Sequence, residues 1–170
     1  MGPSILADGA PNPIAPGSKT ELEETADVSR KPLRVLLAED NAADVMVVEE
    51  ILSQQDAKFE IVVASDGQQA IELVRQLDQE PSTPGFDIAL VDLNLPKHTG
   101  HEVLAEVRRA KRCGKIPVII VTSSRSPNDV RRARELGATE YFEKVADLEA
   151  YSQLGPLVLR TVQNSRPATS

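Results

Sequence analysis

Short runs of β-branched and aliphatic residues alternate with segments of helical spacing, and this alternation constrains the fold more than any other feature of the chain. The β-rich runs are Leu33–Ala38, Phe59–Ala64, Asp87–Val91, Pro117–Thr122 and Glu140–Glu143. Because most of these runs are almost continuously apolar, both faces of the strands are expected to be buried, as in a parallel sheet covered by helices. The β-α order, repeated five times, predicts a doubly wound α/β domain with right-handed crossovers.

Local signals at the ends of the helical segments agree with this pattern. Asn41 stands just before the first helical segment, where an N-cap residue is expected. The fourth helical segment carries an apolar stripe of Val130, Ala133 and Leu136, and Gly137 follows it as a C′ glycine. The pair Gly155 and Pro156 interrupts the last stripe, and an interior proline ends or kinks a helix. We therefore expect the last helix to be broken near Leu154.

The folded part is expected to cover residues 32–164. Prolines and glycines crowd the first seventeen positions, and no apolar period occurs before residue 31. Such a segment cannot bury enough surface to offset its ordering entropy, which predicts a flexible N-terminal tail over residues 1–31. Residues 165–170 are polar and are expected to be frayed.

Composition excludes several classes of protein. The 170 residues carry 19 Lys and Arg against 26 Asp and Glu, a net charge of −7, which argues against direct binding of nucleic acid. No apolar run approaches a membrane span, and the first residues lack the features of a signal peptide. Cys113 is the single cysteine, so no internal disulfide can form, as suits a cytoplasmic protein.

The ends of the predicted strands carry polar residues that should meet at one edge of the sheet. Ligands of open parallel sheets bind at the carboxyl ends of the strands. Strand one is followed by Glu39 and Asp40, strand three by Asp92, and strand five by Lys144, while Thr122 ends strand four. Three acids, a hydroxyl and a lysine are therefore expected to converge.

This set of side chains suits phosphoryl chemistry. Adjacent carboxylates repel one another, and a hard dication such as Mg²⁺, which prefers oxygen ligands, offsets that repulsion. A carboxylate beside such an ion can attack phosphorus and form an aspartyl phosphate. Lys144 would neutralise phosphoryl charge, and Thr122 could donate a hydrogen bond to a phosphoryl oxygen.

In this order, the residues resemble the receiver domain of two-component response regulators, the CheY-like family. The motifs that carry the resemblance are Glu39-Asp40, Val91–Pro96 with the sequence VDLNLP, Gly100, Thr122 and Lys144. The resemblance covers roughly residues 33–164 and implies a five-stranded flavodoxin-like sheet in the order 2-1-3-4-5. The runs 39–44 (EDNAAD) and 92–96 (DLNLP) are similar to single-domain receivers that partner phytochrome-type kinases.

The resemblance implies a role for each matching acid and for the lysine. Asp92 matches the phosphoacceptor, and Glu39 and Asp40 match the acid pair that holds Mg²⁺ together with it. Asn94 matches the position whose backbone carbonyl completes the metal shell. Lys144 matches the lysine that the family places beside the acceptor.

Further matches concern the switch and the loop after the acceptor. Thr122 matches the switch hydroxyl, and Tyr141 matches the aromatic side chain that turns inward when this hydroxyl binds the phosphoryl group. Pro96 and Gly100 match the turn after the acceptor. The chain departs from the family where Val145 replaces the usual proline after the lysine. A cis bond there would cost about 2.5–4 kcal/mol, so a trans bond or a visibly strained one is expected.

The function implied by the resemblance is that of a stand-alone response regulator, a signalling protein and not a metabolic enzyme. A sensor histidine kinase, of which a bacteriophytochrome is one example, would phosphorylate Asp92 with Mg²⁺ as cofactor. Output would pass through a homodimer built on the fourth helix, the last strand and the last helix, through a binding partner, or through onward phosphotransfer. No membrane or nucleic-acid partner is expected.

Four other functions stay open at this point. The chain could be a phosphotransfer intermediate or phosphate sink without its own output, or a degenerate receiver that is never phosphorylated. A haloacid-dehalogenase-type phosphatase also uses an Asp nucleophile and Mg²⁺, but it needs a second Asp where Asn94 stands. A flavodoxin-like FMN binder would need a phosphate loop where Glu39 and Asp40 stand.

We expect His98 and His101 to be surface side chains.

Overall fold

The computed structural model describes residues 31–167, so nearly all of the predicted tail, residues 1–31, lies outside the described residues. The strands are β1 Leu33–Ala38, β2 Phe59–Ala64, β3 Ile88–Val91, β4 Val118–Thr122 and β5 Glu140–Glu143. The helices are α1 Ala42–Ser53, α2 Gly67–Gln79, α3 Gly100–Arg109, α4 Pro127–Glu135, α5 Leu148–Ser152 and α6 Leu154–Ser165. Strands β3 and β4 begin one residue later than predicted from the sequence.

The strands form a parallel sheet in the order β2-β1-β3-β4-β5, as expected. Every residue of the central strands β3 and β4 is buried, whereas the edge strands β2 and β5 are only partly covered. Continuous apolar sequence is therefore found where both faces of a strand are covered, in agreement with the prediction.

Helices cover both faces of the sheet. On one face, buried residues of α2 and α3 pack against alternate strand residues such as Leu36, Val91 and Ile120. On the other face, α1 and α6 pack against Val35, Leu90 and their neighbours. Helix α4 contributes little to the core, since Ala133 is its only buried residue. The domain is doubly wound, with right-handed connections as the usual consequence of parallel pairing.

The caps of the helices follow the sequence signals. The side chain of Asn41 accepts hydrogen bonds from the backbone N–H groups of Ala43 and Asp44 and so caps α1. Gly137 has a φ of +94°, and hydrogen bonds from Gly137 to Arg134 and from Ala138 to Ala133 close α4 in a Schellman motif. A Cβ atom would be strained at this φ, which explains the glycine.

The last helical stripe is broken, as predicted, at Gln153 between α5 and α6. Pro156 lies in the first turn of α6, where the missing N–H group would have no helical partner in any case. The proline therefore fits the first turn of the second helix instead of kinking a longer one. No described peptide bond is cis, so the bond between Lys144 and Val145 is trans, as expected.

The sequence-based expectation for His101 was wrong. Only 5% of this residue is exposed, and its Nε2 atom lies 3.3 Å from the backbone oxygen of Asp129 at the start of α4. His101 follows the first residue of α3 and faces inward between the two helices, whereas His98 is exposed. Among the described helices, none is long and apolar enough to cross a membrane.

Candidate functional site

The polar strand ends meet in a cleft of about 420 Å³ at the carboxyl edge of the sheet. Its lining includes Asp40, Asp44, Asp92, Asn94, Lys144 and Tyr151. The parallel register brings Ala38 beside Val91, so the residues that follow β1 and β3 emerge side by side. The topology thus assembles a site from residues that are far apart in the sequence.

Asp92 lies at the centre of this cleft and is only 7% exposed. Its backbone N–H donates to the carbonyl oxygen of Ala38 at 3.0 Å, which fixes the strand end. Its Oδ1 atom accepts a hydrogen bond from the N–H of Asn94 at 3.1 Å, and its Oδ2 atom lies 2.8 Å from Nζ of Lys144. Both carboxylate oxygens are therefore oriented before any ligand arrives.

Three carboxylates converge as the sequence predicts. Glu39, Asp40 and Asp92 each offer an oxygen within 4.8 Å of the others. Glu39 is buried, and its Oε1 atom accepts a hydrogen bond from the N–H of Asn41 at 3.0 Å, whereas Asp40 is exposed at the mouth of the cleft. Clustered hard oxygen donors without a nitrogen or sulfur ligand suit a dication such as Mg²⁺ or Mn²⁺.

The electrostatics of Glu39 also favour a cation. Burial raises the pKa of its carboxyl group, even though hydrogen bonds from Lys144 and from the N–H of Asn41 act in the opposite direction. A desolvated carboxylate with a charged acid nearby is stabilised by added positive charge. The residues present therefore fit the dication that the acid cluster implies.

Lys144 is the cation of the site and is held by three carboxylates. Its Nζ atom lies 2.8 Å from an oxygen of Asp92, 2.8 Å from an oxygen of Asp44, and in contact with Glu39, with 10% of the side chain exposed. Burial alone would lower the pKa of Lys144, but hydrogen bonds to Asp44, Asp92 and Glu39 outweigh it and raise the pKa. Lys144 is therefore charged at any physiological pH.

Asp44 and Tyr151 belong to the site although sequence reasoning did not assign them to it. Asp44 stands in the first turn of α1, where an acid is expected from its favourable interaction with the helix dipole alone. Tyr151 belongs to an apolar stripe and stacks on Phe142 with ring centroids 5.8 Å apart. The available signal was the position of Asp44, four residues after Asp40 at the start of the helix that follows the acidic strand end.

Thr122 ends β4 and Tyr141 lies on β5, and neither is among the residues that line the cleft. Thr122 is fully buried, and its hydroxyl accepts a hydrogen bond from the N–H of Ser124 at 3.3 Å. The half-buried Tyr141 donates from its hydroxyl to the carbonyl oxygen of Ser124 at 3.0 Å. Both side chains thus contact the backbone of one loop, between β4 and α4.

The loop after Asp92 packs tightly against the acceptor strand. The N–H of Gly100 donates to the carbonyl oxygen of Leu93 at 3.0 Å, and a Cβ atom on Gly100 would lie 2.2 Å from the backbone oxygen of Asp92. In the same loop, the carbonyl oxygen of Pro96 accepts from the N–H of Gly67. A glycine is therefore required where α3 begins.

The family to which this chain belongs is shown by a match to a family model. The model for the response regulator receiver domain matches residues 35–154, which include every strand-end residue described above. The chain belongs to the response regulator receiver family. A receiver is a signalling domain and not a metabolic enzyme, so the phosphatase and FMN-binding alternatives are not favoured.

Individual relatives support the same assignment. Response regulator Rcp1 of Synechocystis sp. is 35% identical over 124 residues, which cover 73% of this chain and 84% of that protein. The phosphorylated cyanobacterial phytochrome response regulator RcpA superposes with a TM-score of 0.72 at 29% identity, over 82% of this chain and all of that one. The Mn²⁺-bound form of Rcp1 gives a TM-score of 0.70, with the same identity and coverage.

Cys113 has no place in the site of this receiver. The residue is buried after α3, and burial raises the pKa of its thiol to about 11. A buried thiol that stays protonated is a poor nucleophile and metal ligand.

Proposed function

We propose that this receiver accepts a phosphoryl group on Asp92 from a sensor histidine kinase. The observation that carries the proposal is the orientation of the Asp92 carboxylate by the N–H of Asn94 and by Lys144, beside the acid pair Glu39 and Asp40. An oriented nucleophile next to positive charge is what phosphoryl transfer needs from a protein.

A divalent cation, with Mg²⁺ as the proposed species, would be held by Glu39, Asp40, Asp92 and the backbone carbonyl of Asn94. Bound there, it neutralises charge on the phosphoryl oxygens. The oxygen-only donor set at the mouth of the cleft supports this choice, since Mg²⁺ prefers such ligands and keeps several of its waters. A relative, Rcp1, has a Mn²⁺-bound form, which is consistent with a divalent ion in this kind of site.

In the proposed reaction, an oxygen of Asp92 attacks phosphorus, and the bond from phosphorus to the donor breaks with its electron pair leaving on the donor. Lys144 then shares its charge between the acceptor and a phosphoryl oxygen, which stabilises charge that develops during transfer. The cleft supplies positioning and electrostatics only, so the receiver would catalyse its own phosphorylation by a small donor as well.

Thr122 and Tyr141 are proposed to report the phosphorylated state. Both now contact Ser124, in the loop that leads to α4. If the Thr122 hydroxyl turns to a phosphoryl oxygen, the N–H of Ser124 loses its acceptor, and the loop and the Tyr141 ring must adjust together. This coupling gives a two-state surface over α4 and β5 that a kinase can bias.

The direct test is phosphorylation by acetyl phosphate, followed by intact mass spectrometry. Wild type should gain the mass of one phosphoryl group with Mg²⁺ and remain unmodified with EDTA. The Asp92→Asn variant should remain unmodified in both, whereas Asp56→Asn, a change at an exposed aspartate away from the cleft, should behave as wild type. Equal modification of wild type and Asp92→Asn would refute the assignment of the acceptor.

A phytochrome-type kinase in the cytoplasm is the proposed donor, because the phosphorylated relative RcpA is described as a phytochrome response regulator. Phosphotransfer profiling against a panel of purified kinases tests this partner. Fastest transfer from a phytochrome-type kinase is expected, and preference for an unrelated kinase would reject this partner while leaving the role of Asp92 intact.

A further inference from the structure

Lys144 has no spare hydrogen for a phosphoryl oxygen in the structure described here. Its ammonium group carries three N–H bonds, and its three contacts are to the carboxylates of Glu39, Asp44 and Asp92. To hold a phosphoryl oxygen, Lys144 must release one of these partners. Which partner is released will influence how tightly the phosphoryl group is held.

Asp44 is the partner that Lys144 can release with least loss to the site. Glu39 and Asp92 belong to the acid cluster, and Asp92 itself carries the phosphoryl group under the proposed function. Asp44 lies outside that cluster, at 2.8 Å from Nζ, and its backbone N–H donates to the capping side chain of Asn41. It is therefore a fourth carboxylate, placed near Nζ by its position in the first turn of α1, that competes with the phosphoryl group for the same cation.

Tyr151 offers a replacement partner for Asp44. Its hydroxyl oxygen is buried, no described group hydrogen-bonds to it, and the residue is 5% exposed in the lining of the same cleft. Stacking on Phe142 holds the ring in place. A buried hydroxyl without a partner is costly, so one that persists beside a charged site calls for an explanation.

We propose that Asp44 and Tyr151 are positioning residues that set how tightly this receiver holds its phosphoryl group. Asp44 competes with the phosphoryl oxygen for Lys144. When Lys144 turns to the phosphoryl group, the Tyr151 hydroxyl donates to the carboxylate that Lys144 has left. The inference rests on the phosphorylation of Asp92 proposed above.

The role of Asp44 is testable because its removal should change the affinities for two ligands in opposite directions. In calorimetric titrations of the full chain, Asp44→Asn should bind Mg²⁺ alone about 3-fold more weakly, because one carboxylate charge near the ion is gone. The same variant should bind beryllofluoride in saturating Mg²⁺ about 3- to 5-fold more tightly, because Lys144 is released to the phosphoryl mimic. Glu49→Gln, which removes an exposed acid from the same helix, should match wild type in both titrations.

The role of Tyr151 is tested by a double-mutant cycle with Asp44. Tyr151→Phe should weaken beryllofluoride binding about 3-fold in the wild-type background, since the new hydrogen bond is lost, and clearly less in the Asp44→Asn background. Equal effects in the two backgrounds would show that Tyr151 acts without Asp44. Urea unfolding confirms that each variant is folded, and Asp44→Ser serves as a second charge-removing variant.

Failure of this inference can be told apart from failure of the proposed function. If wild type binds beryllofluoride but Asp44→Asn weakens both ligands alike, or changes neither, the competition for Lys144 is refuted and phosphorylation of Asp92 stands. If wild type does not bind beryllofluoride in Mg²⁺, the phosphoacceptor function fails, and the roles of Asp44 and Tyr151 fall with it.

Discussion

Gly100 shows how a single residue constrains the acceptor. A Cβ atom at this position would lie 2.2 Å from the backbone oxygen of Asp92, a group that cannot move without displacing the strand end. Gly100→Ala is therefore expected to lower the free energy of unfolding by about 2–3 kcal/mol, as other overpacked positions do. It should also slow phosphorylation by acetyl phosphate.

The matched control for this change is Gly85→Ala. No described atom lies within 4 Å of a Cβ atom built on Gly85, so this variant should unfold at the same denaturant concentration as wild type. Urea titrations followed by circular dichroism measure both variants. Equal stability of the Gly100 and Gly85 variants would show that the acceptor loop is not held by the close approach.

Glu39 should make the stability of the metal-free receiver depend on pH. Burial raises the pKa of its carboxyl group, so the folded state holds this proton more tightly than the unfolded chain does. Its contribution to stability is therefore fully present below the unfolded pKa and is lost as pH rises through the higher folded pKa. Ionised Glu39 thus destabilises the metal-free fold near neutral pH.

Removing that charge is expected to stabilise the metal-free fold. In EDTA at neutral pH, Glu39→Gln should raise the free energy of unfolding, because the raised pKa means that the folded state favours the neutral form of this side chain, and Lys144 keeps its contacts with Asp44 and Asp92. The gain should shrink as pH falls to about 4, where wild type is protonated. A variant less stable than wild type at neutral pH would show that the Lys144 contact outweighs the burial of Glu39.

Site residues were predictable from the sequence where they directly follow a strand. They were missed where the packing of a helix brings them to the cleft. Glu39, Asp40 and Asp92 follow apolar runs directly, so their convergence follows from the rule for parallel sheets. Asp44 and Tyr151 reach the cleft only through the rotation of α1 and the packing of α5. No local pattern encodes a contact between Asp44 and Lys144, which are 100 positions apart in the sequence.

Arg108 at the end of α3 connects loops that precede β4 and β5, at the edge of the sheet opposite the cleft. Its guanidinium donates to the carbonyl oxygen of Gly137 at 2.7 and 2.9 Å, and to those of Ile116 and Gly114 at 2.7 and 3.2 Å. Arg108→Leu should lower the free energy of unfolding by about 2–4 kcal/mol, because carbonyl oxygens lose charged donors.

The neighbouring arginine provides the control. The side chain of Arg109 is 78% exposed and lies 4.0 Å from Glu106, so Arg109→Leu should change the unfolding free energy by less than about 0.5 kcal/mol. Thermal and urea unfolding measure the pair. Similar losses for the two variants would contradict a specific role of Arg108 as a tie between α3 and the loop after α4.

At the level of elements, sequence reasoning worked where a local rule applies. Strands β1, β2 and β5 have the predicted bounds, and the proline at 156 correctly indicated a break before α6. The orientation of α4 was less predictable, because its apolar stripe leaves only Ala133 buried. The inward turn of His101 was missed because it depends on α4 packing beside α3.

At the scale of the whole molecule, we propose that α4 and β5, among the described elements, form a surface for self-association. Helix α4 is mostly exposed, and β5 is an edge strand of the sheet. Side chains of both positive and negative charge lie there: Arg131 lies 3.9 Å from Glu135, and Arg125 pairs with Glu143 on β5. Exchange of such pairs between two copies would stabilise a symmetric dimer at low salt.

Sedimentation velocity tests this surface. Beryllofluoride with Mg²⁺ is expected to increase the dimer fraction, and the Arg131→Glu variant should reduce it, since a like charge then faces Glu135 across the interface. An entirely monomeric protein with and without beryllofluoride would remove the proposed dimer without affecting the chemistry at Asp92.

The measurement that tests the central claim most directly is mapping of the modified residue. Wild type is incubated with acetyl phosphate and Mg²⁺, the acyl phosphate is trapped by borohydride reduction to homoserine, and peptides are sequenced by tandem mass spectrometry. The account predicts homoserine at position 92 alone, and none when EDTA replaces Mg²⁺. Modification at another aspartate or glutamate with position 92 untouched, or no modification at all, would contradict it.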